Sequence, residues 1–534
     1  MDRSENFGAY HRSALAHCSP AASDVQAGGG SLRWTAGRYG VLLAVAAVVH
    51  MIQAAVLPLS GDEAYYWDIS RRWAWASFDQ PPLVIWAMVP FRLLLGETAL
   101  AVRMPAVLAS TLTGLLLLPL VRRLGGGTAD AARAFLLLQA TPLFFLGSAY
   151  ASTDVAMITA MVAATVAAVA IAQGERRAWW WFGLAVGLGF LAKFPAVLAG
   201  TGVLAALLAS RTARGHLVSP TPYLAALVSL ACTAPVWLWA VQHDFANISF
   251  QLADRHQVGW FTLKHLGGFW GASLVLASPP LFLAVAAAWA AGWRRREVGW
   301  IVALTVAATP FLFFSVVSLR TQVGGHWGAP GIVLGIVVLA LAPRRPRRLV
   351  VSGVALGLTL SSLAIILLLG AEPILRARDR PLAALADRLQ RAYAPVVGNE
   401  EVVAEIQRRL GPGELPAAAS YSRSHLYEFL SQGRLNMHLL QVSQGKHGLE
   451  SLYWRRPEDL RGRDFLVVTE RDSTASELAE RCDRLVRDAD YPIVRGQRTL
   501  RVLQFYRCQN LLRPEGAFTR LPPLDPAASA DQRP

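Results

Sequence analysis

Acidic side chains occur at three places where a long apolar run of this sequence begins or ends. Asp62 and Glu63 lie in the run GDEAYYW, directly after the first apolar run. Asp79 lies in FDQPPL, and Asp154, in SAYASTDVAM, opens a later apolar run. Ionisable groups at or inside a membrane are costly and usually functional. Carboxylates gathered on one surface indicate acid–base chemistry on a bound substrate.

Two of the three acidic sites also have a structural interpretation that the residues alone leave open. Asp62 and Glu63 would serve as solvated caps at the end of a membrane span. Ser152, Thr153 and Asp154 would make a good helix N-cap. The two prolines after Asp79 fix a turn, which gives that residue no obvious capping role.

Basic side chains accompany these carboxylates. Lys193 lies in FLAKFPAV between two apolar runs, Arg255 and His256 lie in residues 242–265, and Arg320 and His326 flank the glycine turn of SLRTQVGGHWGAP. Arg, Lys and His around such a turn suit a phosphate group, and Gly324 and Gly325 allow close backbone approach. The alternatives are a lysine that snorkels to the interface and contacts with anionic lipid headgroups.

Together these groups indicate one kind of chemistry. A lipid phosphate would carry a transferable group, a carboxylate would accept the proton of an incoming hydroxyl, and cations would stabilise the departing phosphate. The sequence contains no P-loop or Rossmann signature for a nucleotide donor. It does not decide whether a divalent metal ion is bound, and it shows no requirement for another cofactor. It also does not identify the sugar.

The elements that must position these residues are membrane spans. Of 534 residues, 54% are hydrophobic and only 16% are charged, whereas soluble proteins carry roughly a quarter charged residues. Apolar runs near the length of about 20 residues that a span needs fill the first 370 residues. The predicted spans are 40–59, 104–121, 134–149, 154–173, 179–192, 195–210, 220–241, 266–291, 299–318, 328–342 and 349–370.

The basic residues give an orientation to these spans. One set of alternate loops holds fourteen basic and three acidic residues, and the other set holds eight of each. The first set is therefore predicted to be cytoplasmic. This places the N-terminus inside and the acidic sites outside. The net charge is +15, but the basic residues lie in the loops between apolar runs rather than on one exposed face. Nucleic acid is therefore not a predicted partner.

The sequence divides into four predicted regions. Residues 1–38 form a disordered cytoplasmic tail, 39–370 a membrane domain with a first external loop over 60–103 (the first loop), 371–514 a small periplasmic α/β domain (the tail domain), and 515–534 a disordered end. The Trp and Tyr residues of the first loop suit interfacial helices.

The tail domain has its own expected elements. Helices are predicted at 381–392 and 399–409, and strands at LPAAASY, DFLVVTE and RVLQFYRC. Cys482 and Cys508 are expected outside the cell and can pair there if their Cα atoms lie within about 7 Å. The aromatic group Tyr421, Tyr427, Tyr453 and Trp454, with Ser422 and His425, would form part of the core or contact a glycan.

The motifs GDEAYYW, FDQPPL, LAVRMPA, the STD run, LAKFPAV and GGHWGAP, in this order, resemble the bacterial family-39-type (protein mannosyltransferase-like) glycosyltransferases. That group includes the lipid A aminoarabinose transferases and the galacturonosyltransferases of rhizobia. The resemblance covers about residues 40–345. It implies the C-type glycosyltransferase fold, which is mainly α with about 11–13 spans, a polyprenyl-phosphate-sugar donor, and inversion by direct displacement.

The resemblance also implies roles for individual residues. Asp62 is the expected general base, with Glu63 and Asp154 as further catalytic residues. The residues expected to bind substrate are Tyr66, Asp79, Lys193, Arg255, His256, Arg320 and His326. The aminoarabinose transferases continue the acidic pair with Pro-Arg-Tyr, whereas here Ala64, Tyr65, Tyr66 and Trp67 follow, so the donor sugar stays open.

The sequence therefore predicts an inverting glycosyltransferase of the cell inner membrane. It would act as a monomer at the periplasmic face, on lipid A, polysaccharide, lipid or protein. The alternative is a transporter or flippase. Transporters usually show internal repeats and charges at the membrane midplane. This sequence has no such repeat, and its charges cluster at one surface.

Overall fold

The structure is a computed structural model and describes residues 34–209, 213–254, 259–377, 380–440, 448–454, 457–470 and 473–514. Two parts follow each other in these residues: a helical membrane part, and a smaller part that combines helices with one sheet. The predicted disordered ends, 1–38 and 515–534, lie outside the described residues except for 34–38.

The first nine helices cover the motifs of the candidate site. They are α1 (Ala36–Val56), α2 (Gly61–Ser70), α3 (Leu83–Leu95), α4 (Ala99–Arg123), α5 (Thr128–Gln139), α6 (Pro142–Gly147), α7 (Thr153–Ala172), α8 (Ala178–Ala192) and α9 (Leu198–Ala209). A 3₁₀ turn, Phe194–Val197, separates α8 from α9, because Pro195 cannot continue a helical hydrogen-bond ladder.

The next nine helices complete the membrane part and lead out of it. They are α10 (Thr221–Cys232), α11 (Ala234–Gln242), α12 (Ala246–Ser249), α13 (Leu263–Leu276), α14 (Pro279–Gly292), α15 (Val298–Ser318), α16 (Ala329–Leu341), α17 (Arg347–Leu369) and α18 (Ala371–Arg376). Short turns at Ala213–Val218, Phe250–Asp254 and Gly325–Gly328 lie between them.

Five of these helices are long and apolar enough to cross a membrane: α1, α4, α7, α15 and α17. Two further predicted spans are helix pairs with a sharp bend. The helices α10 and α11 meet at 54°, and α13 and α14 meet at 100°. The second bend falls at Pro279, which begins α14. The predicted span 266–291 is therefore sharply bent, because two prolines follow the end of α13.

The remaining predicted spans are shorter than a full crossing. Apolar helices of 10–17 residues cover 179–192, 195–210 and 328–342. The run 134–149 consists of α5 and α6, 12 and 6 residues long, with a break where Pro142 begins α6. The chain is thus a multi-helix membrane protein, and several of its apolar segments are half-length helices.

The first loop forms two helices, as predicted. The helix α2 contains the acidic pair at its start, and α3 is the apolar helix that follows. Between them Trp73 and Trp75 are 63% and 64% exposed, and Trp73 stacks on Trp86 with ring centroids 6.2 Å apart. Exposed indole rings next to an apolar helix are typical of the membrane interface.

The tail domain is an α/β domain, as predicted. Its helices are α19 (Arg380–Tyr393), α20 (Asn399–Arg409), α21 (Tyr421–Leu430), α22 (Pro457–Leu460) and α23 (Thr474–Ala479). Its strands are β1 (Leu415–Ala418), β2 (His438–Leu439), β3 (Phe465–Thr469), β4 (Cys482–Arg487), β5 (Tyr491–Arg495) and β6 (Arg498–Leu511), with a 3₁₀ turn at Leu449–Tyr453.

One sheet organises this domain. Its strand order is β2-β1-β3-β6-β4, with β5 paired to β6. The β1 strand is parallel to β2 and β3, while β6 runs antiparallel to its three neighbours. Val402 and Ile406 of α20 pack on Leu466 and Phe505 of the sheet. Because α21 follows the β1 strand, the carboxyl edge of the sheet determines where that helix begins.

Cys482 and Cys508 form a disulfide, a pairing that the sequence allows but leaves open. Their Cα atoms are 5.4 Å apart, and the bond closes a chain separation of 26 residues. Both cysteines are buried, and the bond links the start of β4 to β6. Cys232, in α10, is a free thiol.

We expect the C482S/C508S double variant to be less stable by about 3 kcal/mol, because a disulfide around such a loop limits the freedom of the unfolded chain. The measurement is the thermal midpoint of the purified protein in detergent, with C232S as the control that should not change it. Alkylation without reductant should label Cys232 but neither Cys482 nor Cys508. Labelling of the latter two would contradict the bond.

Candidate active site

A buried ion pair fixes the start of α2. Ser60 caps this helix and forms a capping box with Glu63, whose side chain accepts from the Ser60 backbone N–H at 3.0 Å. The same carboxylate takes two hydrogen bonds from Arg103 of α4, from Nε at 2.6 Å and Nη2 at 2.8 Å. Glu63 is 0% exposed and Arg103 2%. A buried pair survives only when its remaining donors and acceptors are satisfied.

The remaining donors of Arg103 bind the end of α1. Its guanidinium donates to the carbonyls of Ala54, Leu57 and Pro58 at 3.0, 2.7 and 2.8 Å. Glu63 also accepts from the Ala151 N–H, just before α7, at 3.0 Å. The pair thus joins four segments of the membrane part. This geometry favours an anchoring role for Glu63 over the catalytic role predicted from its type and place.

Asp62 is placed differently from its neighbour. It lies one residue earlier in the first turn of α2, where the helix dipole favours an anion. Its side chain is exposed, and its Oδ1 accepts a hydrogen bond from the Tyr421 hydroxyl at 2.5 Å. Asp62 is therefore an accessible carboxylate held on a rigid helix end.

Three residues that are far apart in sequence meet at the start of α7. Lys193 Nζ lies 2.7 Å from Asp154 Oδ1, and His326 Nε2 lies 3.7 Å from Asp154 Oδ2. The Asp154 and Lys193 side chains are only 13% and 19% exposed. Asp154 thus binds the Lys193 ammonium rather than capping its helix, and Lys193 is directed by a carboxylate rather than extending to the interface.

The glycine turn makes room for this cluster. A Cβ at Gly325 would lie 2.3 Å from the Ala272 Cβ, and the Gly325 carbonyl accepts from the Ser273 hydroxyl at 2.7 Å. A side chain at this position would therefore push the turn away from α13. The predicted close approach is confirmed, and it places His326 beside Asp154.

Tyr66, which was expected to bind substrate, lies in α2, four residues after Asp62. Its hydroxyl donates to Gln80 Oε1 at 3.4 Å. Burial raises the pKa of Tyr66, and the charges of Asp62 and Asp154 raise it further. The phenol therefore stays protonated and able to donate.

Asp79, which was expected to bind substrate, instead joins the first loop to the tail domain. It is 1% exposed. Its Oδ1 accepts from the Tyr65 hydroxyl at 2.6 Å, and its Oδ2 accepts from the backbone N–H groups of Gly448 and Leu449 at 3.1 and 3.2 Å. This geometry favours a docking role for Asp79.

A second buried carboxyl belongs to this junction. Glu450 accepts from the Phe78 backbone N–H at 2.5 Å, and its own N–H donates to the Tyr65 hydroxyl at 3.0 Å. Burial raises the pKa of Glu450 to about 8, and the nearby charge of Asp79 adds to this effect. Glu450 therefore carries a proton at neutral pH.

The rest of the junction lies between α2 and α21. Asp68 pairs with His425 at 2.8 Å and with Arg72 at 2.6 Å, and Arg71 pairs with Glu428 at 2.9 Å. Burial raises the pKa of Asp68, but the His425 hydrogen bond and charge outweigh it, and the pKa is lowered. Sequence reasoning passed over Asp68 and Glu428, because ordinary helical charges gave no signal of a partner.

Three of the four aromatic residues singled out in the tail domain pack against other side chains. Tyr427 is 1% exposed in the domain core, and Tyr453 packs against Phe78 with ring centroids 5.0 Å apart. Trp454 lies under the Arg72 guanidinium at 4.0 Å. Tyr421, in contrast, lies at Asp62.

Three residues predicted to bind substrate remain. Two of them, Arg255 and His256, lie outside the described residues. Arg320 is exposed after α15, and its carbonyl accepts from the Gly259 N–H at 2.8 Å. Within the described ranges, no group of three or more His, Cys, Asp or Glu side chains could hold a metal ion.

Comparison with known proteins supports the predicted resemblance. The family model described as dolichyl-phosphate-mannose-protein mannosyltransferase matches residues 79–239. A curated relative from Sodalis glossinidius (strain morsitans), undecaprenyl phosphate-alpha-4-amino-4-deoxy-L-arabinose arabinosyl transferase 1, is 29% identical over 300 residues, 50% of this chain and 53% of that protein. The corresponding transferase of Edwardsiella ictaluri (strain 93-146) is 28% identical over 292 residues, 49% of this chain and 52% of that protein.

The matched region spans about half the length of these curated relatives. The crystal structure of ArnT from Cupriavidus metallidurans bound to undecaprenyl phosphate has a TM-score of 0.62 at 19% identity, covering 88% of this chain and 98% of that one. The apo form of the same protein gives 0.61 at 18% identity. The chain therefore has this fold, and the predicted fold class is confirmed.

We expect Arg103→Met to destabilise the protein by about 3–5 kcal/mol, because the variant leaves the Glu63 charge buried without its partner. The measurement is the thermal midpoint in detergent. Arg123→Met is the matched control, because Arg123 forms a similar two-point pair with Glu175 at an exposed position and should change the midpoint little. Equal effects of the two variants would contradict the anchoring role.

The raised pKa of Glu450 gives a pH dependence of stability. An unfolded glutamate releases its proton near its ordinary pKa of 4.5, whereas folded Glu450 keeps it up to about pH 8. Between these values the folded protein binds more protons, so Glu450 makes stability fall as pH rises. Glu450→Gln should remove this fall from the thermal midpoints measured between pH 5 and 8.5.

Glu458→Gln, at an exposed position in α22, should keep the pH dependence of the unchanged protein. An unaltered fall in Glu450→Gln would mean that other groups cause it.

Proposed function

We propose that this chain is a membrane glycosyltransferase that moves a sugar from a polyprenyl-phosphate carrier to an acceptor of the cell envelope. The observation that carries the proposal is the placement of an accessible carboxylate, Asp62, beside Glu63, whose carboxylate binds the Ala151 N–H three residues before Asp154 and its partners Lys193 and His326. The names of the curated relatives, which specify an undecaprenyl-phosphate-linked sugar, support the same class of donor.

In the proposed reaction an acceptor hydroxyl attacks the anomeric carbon of the carrier-linked sugar. The new bond to the acceptor oxygen forms as the bond between the sugar and the phosphate oxygen breaks. The acceptor proton passes to Asp62, and the bonding electrons leave with the polyprenyl phosphate. A single displacement of this kind inverts the anomeric carbon and needs no covalent sugar–enzyme intermediate.

Lys193 is the proposed partner of the departing phosphate. An ammonium group stabilises the charge that develops on that oxygen. Asp154 keeps this ammonium in place at 2.7 Å, and His326 adds a donor on the other side of the same carboxylate. Asp154 then acts by positioning a cation, while Asp62 handles the proton.

The proposed location is the inner membrane, with the site and the tail domain on the periplasmic face. The support is the excess of basic residues on the opposite loops and the disulfide of the tail domain, since such bonds persist in oxidising compartments. A donor carried by a lipid, rather than a nucleotide, suits that side of the membrane.

The donor sugar and the acceptor stay unassigned in this proposal. Of the residues that follow the acidic pair, Ala64 is fully buried, and Tyr65 binds Asp79 at the docking junction. Trp67 is fully buried as well, and Tyr66 is the partly exposed residue of this run. Sugar selection therefore depends on residues other than the motif itself, and lipid A, polysaccharide, another lipid and protein all stay candidate acceptors.

Asp62→Asn should reduce transfer at least 100-fold while the protein keeps its normal level, because a general base typically contributes that much or more and an amide oxygen can still accept from Tyr421. The measurement is mass spectrometry of envelope lipids and glycans from a deletion strain that carries each variant. The unchanged gene should restore one sugar that the deletion strain lacks.

Asp459→Asn, at an exposed position of the tail domain, is the matched control and should restore the sugar fully. If Asp62→Asn also restores it, the transferase proposal is wrong, and the transporter alternative gains support.

A further inference from the structure

The tail domain reaches the candidate base directly. The helix α21 packs on α2 so closely that a Cβ at Gly61 would lie 2.4 Å from the Ser422 Cβ. The residue before Ser422 is Tyr421, and its hydroxyl donates to Asp62 Oδ1 at 2.5 Å. The two residues are 359 positions apart in sequence. The start of α21 therefore forms one wall of the site.

Tyr421 is itself firmly held. A Cβ at Gly448 would lie 2.4 Å from the Tyr421 Cβ, and Gly448 has a φ of +76°, which favours glycine. On the other side the ring meets the Tyr65 ring edge to face, with centroids 6.0 Å apart. Burial and the charge of Asp62 raise the pKa of Tyr421. The phenol therefore stays protonated and donates throughout the working pH range.

This hydrogen bond is not needed to dock the tail domain. The pairs Asp68–His425 and Arg71–Glu428 join the two helices. The backbone N–H groups that bind Asp79 and Glu450 join the loop to the turn at Leu449–Tyr453. Asp62 is exposed, and a hydrogen bond at such a position adds little to stability. The hydrogen bond between Tyr421 and Asp62 therefore has a function other than holding the tail domain on the membrane part.

We propose that Tyr421 is a positioning residue of the transfer reaction, which holds Oδ1 of Asp62 so that Oδ2 is presented to the acceptor hydroxyl. This inference rests on the proposed function. In the step, the acceptor proton binds Oδ2 as the new sugar–oxygen bond forms, and the phenol keeps its own proton. A base must lie within hydrogen-bond reach of its proton in a fixed geometry. Tyr421 provides that geometry from the tail domain.

The experiment compares Tyr421→Phe with Tyr453→Phe in the full-length protein. Tyr453 is the matched control, because its hydroxyl is buried and has no hydrogen-bond partner in the described part of the chain. Membrane vesicles from the complemented deletion strain supply their own donor and acceptor lipids. The initial rate of product formation is followed by mass spectrometry between pH 5 and 9, and thermal midpoints are measured in parallel.

We expect Tyr421→Phe to lose about tenfold or more in rate at neutral pH, as expected for one hydrogen bond to a charged group. Its pH–rate profile should differ from that of the unchanged protein, because the hydrogen bond that Asp62 Oδ1 accepts is lost. Its thermal midpoint should not change. Tyr453→Phe should match the unchanged protein in all three measurements.

An unchanged rate and pH profile in Tyr421→Phe would overturn the inference. A higher rate would also overturn it, because the hydroxyl would then obstruct the acceptor instead of orienting the base. Asp62→Asn separates this failure from that of the proposed function: if it is inactive while Tyr421→Phe is unaffected, the transferase proposal stands and only the role of Tyr421 is lost.

Discussion

The buried pair between Glu63 and Arg103 is the interaction on which the candidate site depends. A carboxylate and a guanidinium without water must satisfy every donor and acceptor locally. Here that requirement brings together the end of α1, the start of α2, α4 and the residue before α7. Asp62 precedes the pair by one residue, and Asp154 follows the bound Ala151 by three. The pair therefore sets the positions of both acidic residues at once.

A second set of contacts completes the site from the other end of the chain. The first loop supplies Asp68 and Asp79, the tail domain supplies His425 and Glu450, and almost all of their polar contacts are buried. These buried polar groups keep their hydrogen-bond partners only while the first loop and the tail domain stay in contact. The helix α2 is consequently held between the membrane part and the tail domain, and the tail domain is an integral part of the candidate site.

The sequence predicted much of this arrangement and missed what depends on distant contacts. Apolar runs located the long spans, and periodicity located α19, α20 and three strands of the tail. The strands β2, β4 and β5 were missed; in β4, for example, three of the six residues of CDRLVR are charged, and apolar and polar residues do not alternate. Asp62 and Glu63 look alike in sequence, and only the buried Arg103 separates the accessible carboxylate from the one that anchors α2. Asp79 looked like a substrate ligand, because its backbone partners lie 369 and 370 residues away.

The separation of these partners along the chain has a consequence for biosynthesis. Tyr65 and Glu450 are 385 residues apart, and a ribosome adding about 5–20 residues per second needs roughly 20 to 80 s to cover that distance. For that interval the first loop lacks the partners that Asp68 and Asp79 have in the tail domain. The protein is therefore assembled in two stages, and a newly inserted membrane part remains incomplete until translation has passed the turn at Leu449–Tyr453.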